Sequence, residues 1–559
     1  MSETALKKAL DFIENEKQFH LGFLPSEQSN PLTKNLDKEF AKSTVDGVAN
    51  LQSVDRNVLA MAKRIFASDE FKKLVDTGVG VIRSGGKIVF SGCGATGRLS
   101  ILLECMWRDC CAKNPAAAKY ADQVFSIMTG GDFALVRSVE FFEDYQSFGR
   151  RQVQEMGITD KDMLVAITEG GETSSVLGTV FESLDRGAAV FLMFNNPADL
   201  LAEHLERSRK AICDSRVCVL DLSCGPMALA GSTRMQATTS EQLVAGGGLE
   251  SIMNTLLGNP MSDYAADFEQ LLNALEAPEA RKAIASFIDF EADIYRKKGL
   301  VTYFANDYLL DIFTDTTERS PTFMLPPFRK NDDIVSPRPW AFVKNPLMTT
   351  PEVWQNGMLR PLRCLEWTPA DYVAMDAPAH IPANPPKISA AELLKIEVGN
   401  ESISDRTVTG NDAAILITVG KNPSNPAIYS VLDSINAPFA SRRHLTVGGE
   451  KGDFVVPCQL SVTALHIMEH MAIKLVLNTA STGIMAVLGR VTGNWMSWVD
   501  CTNKKLIDRA VRLICEIGGL DYRSSCIKLF EALEFLQNTE DVSLKGTPAV
   551  QYVLKQIEK

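Results

Sequence analysis

Three stretches of this chain combine glycine with hydroxyl side chains, the composition that backbone-mediated anion binding needs. The first is Ser91-Gly-Cys-Gly-Ala-Thr-Gly-Arg98. Glycines at 92, 94 and 97 let the main chain turn tightly and approach a ligand. Thr96 adds a hydroxyl, and the following helix aims its unpaired N–H groups, with their partial positive charge, at the loop. Gly94, Ala95 and Thr96 are the expected contacts. The second stretch is Thr168-Glu-Gly-Gly-Glu-Thr-Ser-Ser175, with Thr168, Gly170, Gly171, Thr173 and Ser174 as candidates. The third, Gly225 to Met235, repeats the composition and offers Ser232. Hydroxyls and amides without lysine suit a neutral sugar bearing one phosphate. Glu172 would oppose a phosphate unless it points away or meets a cation.

Two other chemistries compete for these residues. Gly92 to Gly97 also has dinucleotide spacing, but no acidic residue stands about 20 residues further on in a second strand. No cofactor is therefore expected. His466-Ile-Met-Glu469-His470 spells H-x-x-E-H, a zinc-peptidase pattern. The two histidines share a helical face, but no third ligand accompanies them, and no metal is expected. Glu140, Glu143 and Asp144 form an acidic run of the kind that a solvated helix face also gives.

The elements that must position these groups follow from apolar patterning. Lys87–Phe90, Met163–Ile167, Ala188–Phe194 and Val217–Leu222 read as strands alternating with helices, which implies a parallel, doubly wound sheet. Leu300–Phe304 and Ala413–Val419 begin a second such pattern, separated by a Pro-rich region from Pro321 to Pro386. Met468 to Lys559 reads as helices. The expected units are an N-terminal helix and loop (1–50), a first α/β domain (51–255), a second (256–475) and a helical C-terminal region (476–559).

Bulk properties narrow the class. A chain of 559 residues, 45% hydrophobic and 23% charged, is ordinary for a globular protein of several domains. A net charge of -12 argues against nucleic acid as partner. The 12 cysteines form no C-x-x-C pair and read as reduced cytosolic thiols. Met1 to Lys17 lacks a signal peptide's apolar stretch, and no run of about 18 apolar residues predicts a membrane span. The expected location is cytoplasmic.

The loops resemble the SIS (sugar isomerase) domain. More narrowly, they are similar to N-acetylmuramic acid 6-phosphate etherases and to the glucokinase regulatory protein. Four passages carry this: Gly92 to Leu99; Gly130-Gly-Asp132 leading to Glu143-Asp144; Gly231-Ser-Thr-Arg-Met235; and Lys474 to Gly483, continuing to Gly493-Asn494 and Thr502-Asn-Lys-Lys-Leu506. Ser29 to Thr33 with Leu36-Asp37 resembles the regulatory protein's leader.

The resemblance implies an α/β fold of two SIS-type doubly wound parallel-sheet domains, each a three-layer α/β/α unit, followed by a helical region. It implies a phosphorylated sugar on the first domain, with Lys474 near it. The tandem layout, with a second α/β pattern between Arg234 and Lys474, resembles the regulatory protein. The expected function is therefore a sugar-phosphate-sensing regulator; a sugar kinase as partner stays open. The alternative is an etherase-type lyase or sugar-phosphate isomerase with Glu143 as base and Glu104 as acid. Glu104-Cys105 follows Arg98 by six residues where the etherase pattern has eight, and two residues rotate a helical side chain by about 200°. Two SIS domains in one chain could also form the pseudo-dimer that single-domain relatives make from two chains. The second domain's loops, Phe304 to Asp307 and Gly420 to Ser424, lack the Gly-and-hydroxyl pattern and are expected to be structural or partner-binding.

Overall fold

Met163–Ile167 and Ala413–Val419 show no polar alternation and are buried at every position. Strands of that kind need cover on both faces, which a parallel sheet between helical layers provides. The computed structural model, which describes residues 3–435 and 437–557, has two such sheets. The first contains β1 (Ile88–Gly92), β2 (Val124–Met128), β3 (Met163–Ile167), β4 (Ala189–Phe194) and β5 (Val217–Asp221), in the order β2-β1-β3-β4-β5. The second contains β6 (Val301–Phe304), β7 (Ala341–Lys344), β8 (Ala413–Val419), β9 (Ser441–Val447) and β10 (Phe454–Val456). Its order from the β7 edge, β7-β6-β8-β9-β10, matches the first sheet strand for strand, and every pairing is parallel. The sequence patterns missed β2, β7, β9 and β10. Three of these are sheet edges, and β9 opens with the half-buried polar run Ser441 to His444.

The helices repeat as well. Ala95–Lys113 follows β1, and Leu309–Phe323 follows β6. Gln236–Leu257 follows β5, and Ile467–Val487 follows β10. These four pack together between the sheets. Ile467–Val487 is buried along nearly its whole length and runs unbroken across the boundary expected at 475. No Gly or Pro occurs before Gly483 to interrupt it.

Four buried helices that carry charge need compensation inside the core. Arg234 donates to Asp315 (2.9 Å) and to the hydroxyls of Ser481 and Thr482. Asp315 also receives Arg319 (2.9 Å) and Asn478 (2.9 Å). Arg319 continues to Glu291 (2.9 Å), which accepts from Tyr295 and Tyr303. Burial acts to raise the Asp315 carboxyl, but Arg319 and Arg234 outweigh it and hold the group below its usual range.

The expected separate N-terminal unit is instead tied to the far end of the chain. Helix Glu3–Asn15 shares a core with Lys504–Gly518, Tyr522–Asn538 and Ala549–Ile557. The buried amide of Asn494 accepts from the Ser29 hydroxyl and donates to the Asn30 carbonyl and the Thr33 hydroxyl. The Glu27 carboxylate takes two hydrogen bonds from Arg509 and one from Arg512, which also donates to the Glu27 carbonyl. Among the described residues no helix is long and apolar enough to cross a membrane.

Asp315→Ala would leave Arg234 and Arg319 buried without their shared counter-charge. The expected loss is about 3–5 kcal/mol in urea unfolding. Arg338→Ala, which removes an exposed partner of Asp405, should cost under about 1 kcal/mol.

Candidate functional site

In the first sheet β1 lies between β2 and β3. Helix Ala95–Lys113 carries the chain from β1 to β2, and helix Ser174–Asp185 carries it from β3 to β4. Right-handed crossovers in opposite directions put these helices on opposite faces. The loops therefore part at the carboxyl ends of β1 and β3, where open α/β sheets bind ligands. The two glycine-rich stretches fall at this switch point. A hydrogen bond from Thr179 of the second helix to Ser91 at the end of β1 (2.9 Å) ties them together.

Each loop is shaped by its residues. A Cβ on Gly92 would lie 2.4 Å from the main chain of Thr96, so only glycine fits there. The Thr96 hydroxyl accepts from the Cys93 N–H (3.0 Å) and donates to the Cys93 carbonyl (2.9 Å). It therefore builds the loop and presents the first-turn amides of Ala95–Lys113, which have no partner within the helix. In the second loop, Gly171 adopts φ +79, and a Cβ there would meet Leu201 at 2.5 Å. Thr168 donates to the Thr173 hydroxyl (3.1 Å), and Gly170 is held by Asn196 (3.0 Å). Ser174 begins the helix.

Glu143 is brought to this crevice by residues distant in sequence. It lies on the 3₁₀ turn Glu140–Asp144, and its Oε1 accepts from Asn503 Nδ2 at 2.9 Å. Asn503 also caps helix Lys504–Gly518 by accepting from Leu506 N. Lys505, in the first turn of that helix, reaches Glu172 at 3.4 Å. Glu172 thus meets a cation, as its place in a phosphate-type loop required. Burial would lower the Lys505 ammonium, but Glu172, Glu143 and Glu27 outweigh it and raise it, so it stays charged. Beside Glu143, the buried Phe142 ring stacks on Trp367 (6.0 Å, 18°) and touches Phe148 and Tyr372. Trp367 and Tyr372 belong to the long connection between β7 and β8, so the second domain braces the turn.

Other expected site residues lie elsewhere. Glu104, the acid that the resemblance implied, is fully buried and bound by Arg108 (3.0 Å), Arg360 (3.1 Å), Arg363 (2.8 Å) and Ser126 (2.7 Å). Burial raises its carboxyl, but Arg360 and Arg363 outweigh burial and lower it. It is a structural anchor with neither the proton nor the exposure that an acid needs. Helix Ala95–Lys113 runs without a break, so nothing restores the two-residue offset. Lys474 is buried, and its ammonium donates to the Arg234 carbonyl, Thr239 and Asn478. Burial and the nearby Arg234 push it down to about 7. It borders a cavity with about 20 Å³ of space for a water's centre, lined also by Ala95, Arg234, Asp315 and Glu318, which is room for about one water. The Ser232 hydroxyl is buried without a hydrogen-bond partner. His466 pairs with Glu469 (3.2 Å) and His470 with Asp311 (2.8 Å). Among the described residues, no group of three or more His, Cys, Asp or Glu could hold a metal ion.

The second sheet has the same switch point with different contents. Asp307, after β6, accepts from the Ser424 N–H (2.8 Å) and hydroxyl after β8. A carboxylate of the chain itself takes a loop N–H there.

Sequence reading missed Lys505, Asn503, Arg509, Glu27 and Glu169. The Thr502-Asn-Lys-Lys-Leu506 motif marked the first two as family-like without giving them a role. Only packing brings the N-terminal Glu27 and the C-terminal Arg509 to the Gly231 loop, where a Cβ would lie 2.6 Å from the Arg509 side chain.

A doubly wound parallel sheet of this order, with two glycine-and-hydroxyl loops at its switch point, defines an SIS-type α/β protein. Residues 70–184 match the glucokinase regulatory protein N-terminal SIS domain model. The N-acetylmuramic acid 6-phosphate etherase of Enterobacter sp. (strain 638) is 32% identical over 258 residues, 46% of this chain and 77% of the relative. That of Trichormus variabilis is 31% identical over 255 residues, 45% and 75% of the two chains. Tagatose-6-phosphate ketose/aldose isomerase from Escherichia coli aligns structurally with a TM-score of 0.44 at 10% identity, covering 81% of this chain and 95% of its own. The chain belongs to the SIS-domain family that includes the N-acetylmuramic acid 6-phosphate etherases.

The Glu27 clasp sets an acid limit on the fold. Burial raises this carboxyl, but Arg509 and Arg512 outweigh burial and bring it from 4.5 down to about 2. A lowered folded-state value contributes stability that is complete above about pH 4.5 and lost as pH falls towards 2, on the order of 3 kcal/mol. Denaturant midpoints measured across that window should show this loss in the wild type. Glu27→Gln should remove this component of the pH dependence and lower stability at pH 7.

Proposed function

We propose that this chain binds a hexose or amino-sugar 6-phosphate at the switch point of its first sheet and acts on it as an etherase-type carbon–oxygen lyase. The observation that carries this reading is Glu143. Asn503 holds its carboxyl beside Lys505, at the two loops whose amides suit a phosphate. The relatives named N-acetylmuramic acid 6-phosphate etherase support the choice of reaction.

The phosphate would lie on the first-turn amides of Ala95–Lys113 and Ser174–Asp185, with the Thr173 hydroxyl at its edge. Lys505 supplies the positive charge that the loops lack. The sugar in its open-chain form would present the C2 proton, next to the carbonyl, to Glu143, and lactate would then leave from C3. The second domain acts structurally. Asp307 lies in its crevice, and its helices Leu309–Phe323 and Ile467–Val487 pack on Ala95–Lys113 and Gln236–Leu257, which supports an internal pseudo-dimer. Twelve free thiols fit a cytoplasmic setting.

A second reading keeps the ligand and drops the reaction: a sugar-phosphate sensor, with a sugar kinase as the partner to test. Two observations favour it, the regulatory-protein model matched over residues 70–184 and the sequestration of Glu104, which leaves the etherase-like acid unfilled at that position.

Purified protein given N-acetylmuramic acid 6-phosphate should release lactate, assayed enzymatically. Glu143→Gln should lower the rate by about 10²–10⁴-fold and keep ligand-induced thermal stabilisation, worth about 2.7 kcal/mol at a ligand concentration 100 times Kd. Absence of lactate, with stabilisation by a hexose 6-phosphate, would replace the lyase by the sensor.

A further inference from the structure

With Glu104 locked among arginines, the lyase reaction needs another carboxylic acid at the crevice. Glu169 stands in the second loop, two residues beyond the end of β3. Its backbone is pinned because the Asn195 N–H donates to its carbonyl at 2.9 Å. As a residue it is half-buried, whereas Glu104 is fully buried, so it keeps a path to a ligand. Oε1 accepts from the Thr238 hydroxyl at 3.3 Å.

The charged groups around it come from three other elements. Lys505, on Lys504–Gly518, favours the carboxylate, and Glu318, on Leu309–Phe323, opposes it. Behind it, on Gln236–Leu257, lies Glu241, fully buried. Glu241 Oε1 accepts from Asn195 Nδ2 at 3.1 Å, and its Oε2 has no partner. Burial and the neighbouring Glu169 raise Glu241 well above the ordinary carboxyl range. Burial likewise raises Glu169, to about 7; Lys505 opposes the rise and Glu318 adds to it. The charge of the same Lys505 ammonium is felt by Glu143, so one cation favours the ionised form of both carboxyls.

We propose that Glu169 is the proton donor to the departing lactate oxygen, opposite Glu143. This rests on the lyase reading above. In the forward step the Glu143 carboxylate takes the C2 proton, the C–H electrons form the C2–C3 double bond, and the C3–O bond breaks. The lactate oxygen takes the proton of Glu169, whose new carboxylate is stabilised by Lys505. Water then adds at C3: its proton goes to Glu169, its hydroxyl to C3, and Glu143 returns a proton to C2. Substrate and water give lactate and the amino-sugar phosphate, and both carboxyls regain their starting states.

The test compares wild type, Glu169→Gln and Glu143→Gln as full chains. It uses N-acetylmuramic acid 6-phosphate and a 3-chloro analogue, whose chloride leaves without a proton. Glu169→Gln should lose about 100-fold or more in lactate release. It should keep C2 hydrogen–deuterium exchange in D2O and chloride expulsion within about tenfold of wild type, whereas Glu143→Gln loses all three. The wild-type rate of lactate release should fall above about pH 7. Thr238→Val, which removes a hydrogen bond that lowers Glu169, should move that limb to higher pH. Near-wild-type lactate release by Glu169→Gln overturns the proposal. So does equal loss of lactate release, exchange and chloride expulsion, which would mark a structural role. A wild type that releases no lactate overturns the lyase reading itself, and this assignment with it.

Discussion

The structure is organised around a buried chain of charge, Arg234–Asp315–Arg319–Glu291, that crosses from the first α/β domain into the second. Ion pairs removed from water cost more than they return unless each group is fully satisfied. Here each is. Asp315 accepts from two arginines, an asparagine and a serine, and Glu291 accepts from two tyrosines and Arg319. Such a network tolerates one relative placement of the helices that carry it. Arg234 opens Gln236–Leu257, so the charge chain also fixes the end of the Gly-Ser-Thr-Arg loop beside the first crevice.

That rigidity explains how the candidate site can be assembled from groups far apart in the chain. The amides come from two loops of the first sheet. The acidic turn that bears Glu143 is braced from beneath by Trp367 and Tyr372 of the second domain, and its carboxyl is held from above by Asn503. Lys505 arrives on a helix that Glu27 clasps through Arg509 and Arg512. These braces are aromatic, amide and ionic contacts, with Phe142, Tyr372, Glu27 and Arg509 themselves buried, so the crevice groups are left few rotamers. This is the preorganisation that an electrostatic site requires.

The repeated sheet shows that fold and site are separable. Both domains have the same strand order and the same switch point. In the first, the loops carry glycine and hydroxyls and face a cation. In the second, Asp307 takes the Ser424 N–H and hydroxyl for itself. The same scaffold thus presents a glycine-and-hydroxyl crevice in one copy and a carboxylate-capped one in the other.

Local chemistry was legible in the residues. Buried strands such as Met163–Ile167 announce themselves by unbroken apolar runs, and the glycines at 92 and 171 by the turns that only glycine can make. The hydroxyl loops and the acidic position at 143 could be picked out because their contacts are short-range or carried by a family-like motif. What the tertiary structure decided were the groups whose meaning depends on who approaches them. Glu104 and Glu143 are both glutamates near an SIS loop, yet one meets three arginines in the core and the other an amide at the crevice. Glu172 looked unfavourable until Lys505, over three hundred residues away, supplied its counter-charge. Glu169 gained its raised carboxyl from burial in the folded chain, with Glu318 adding to the rise and Lys505 opposing it. Charge and protonation are set by solvation and neighbours across the whole fold, and linear spacing does not record either.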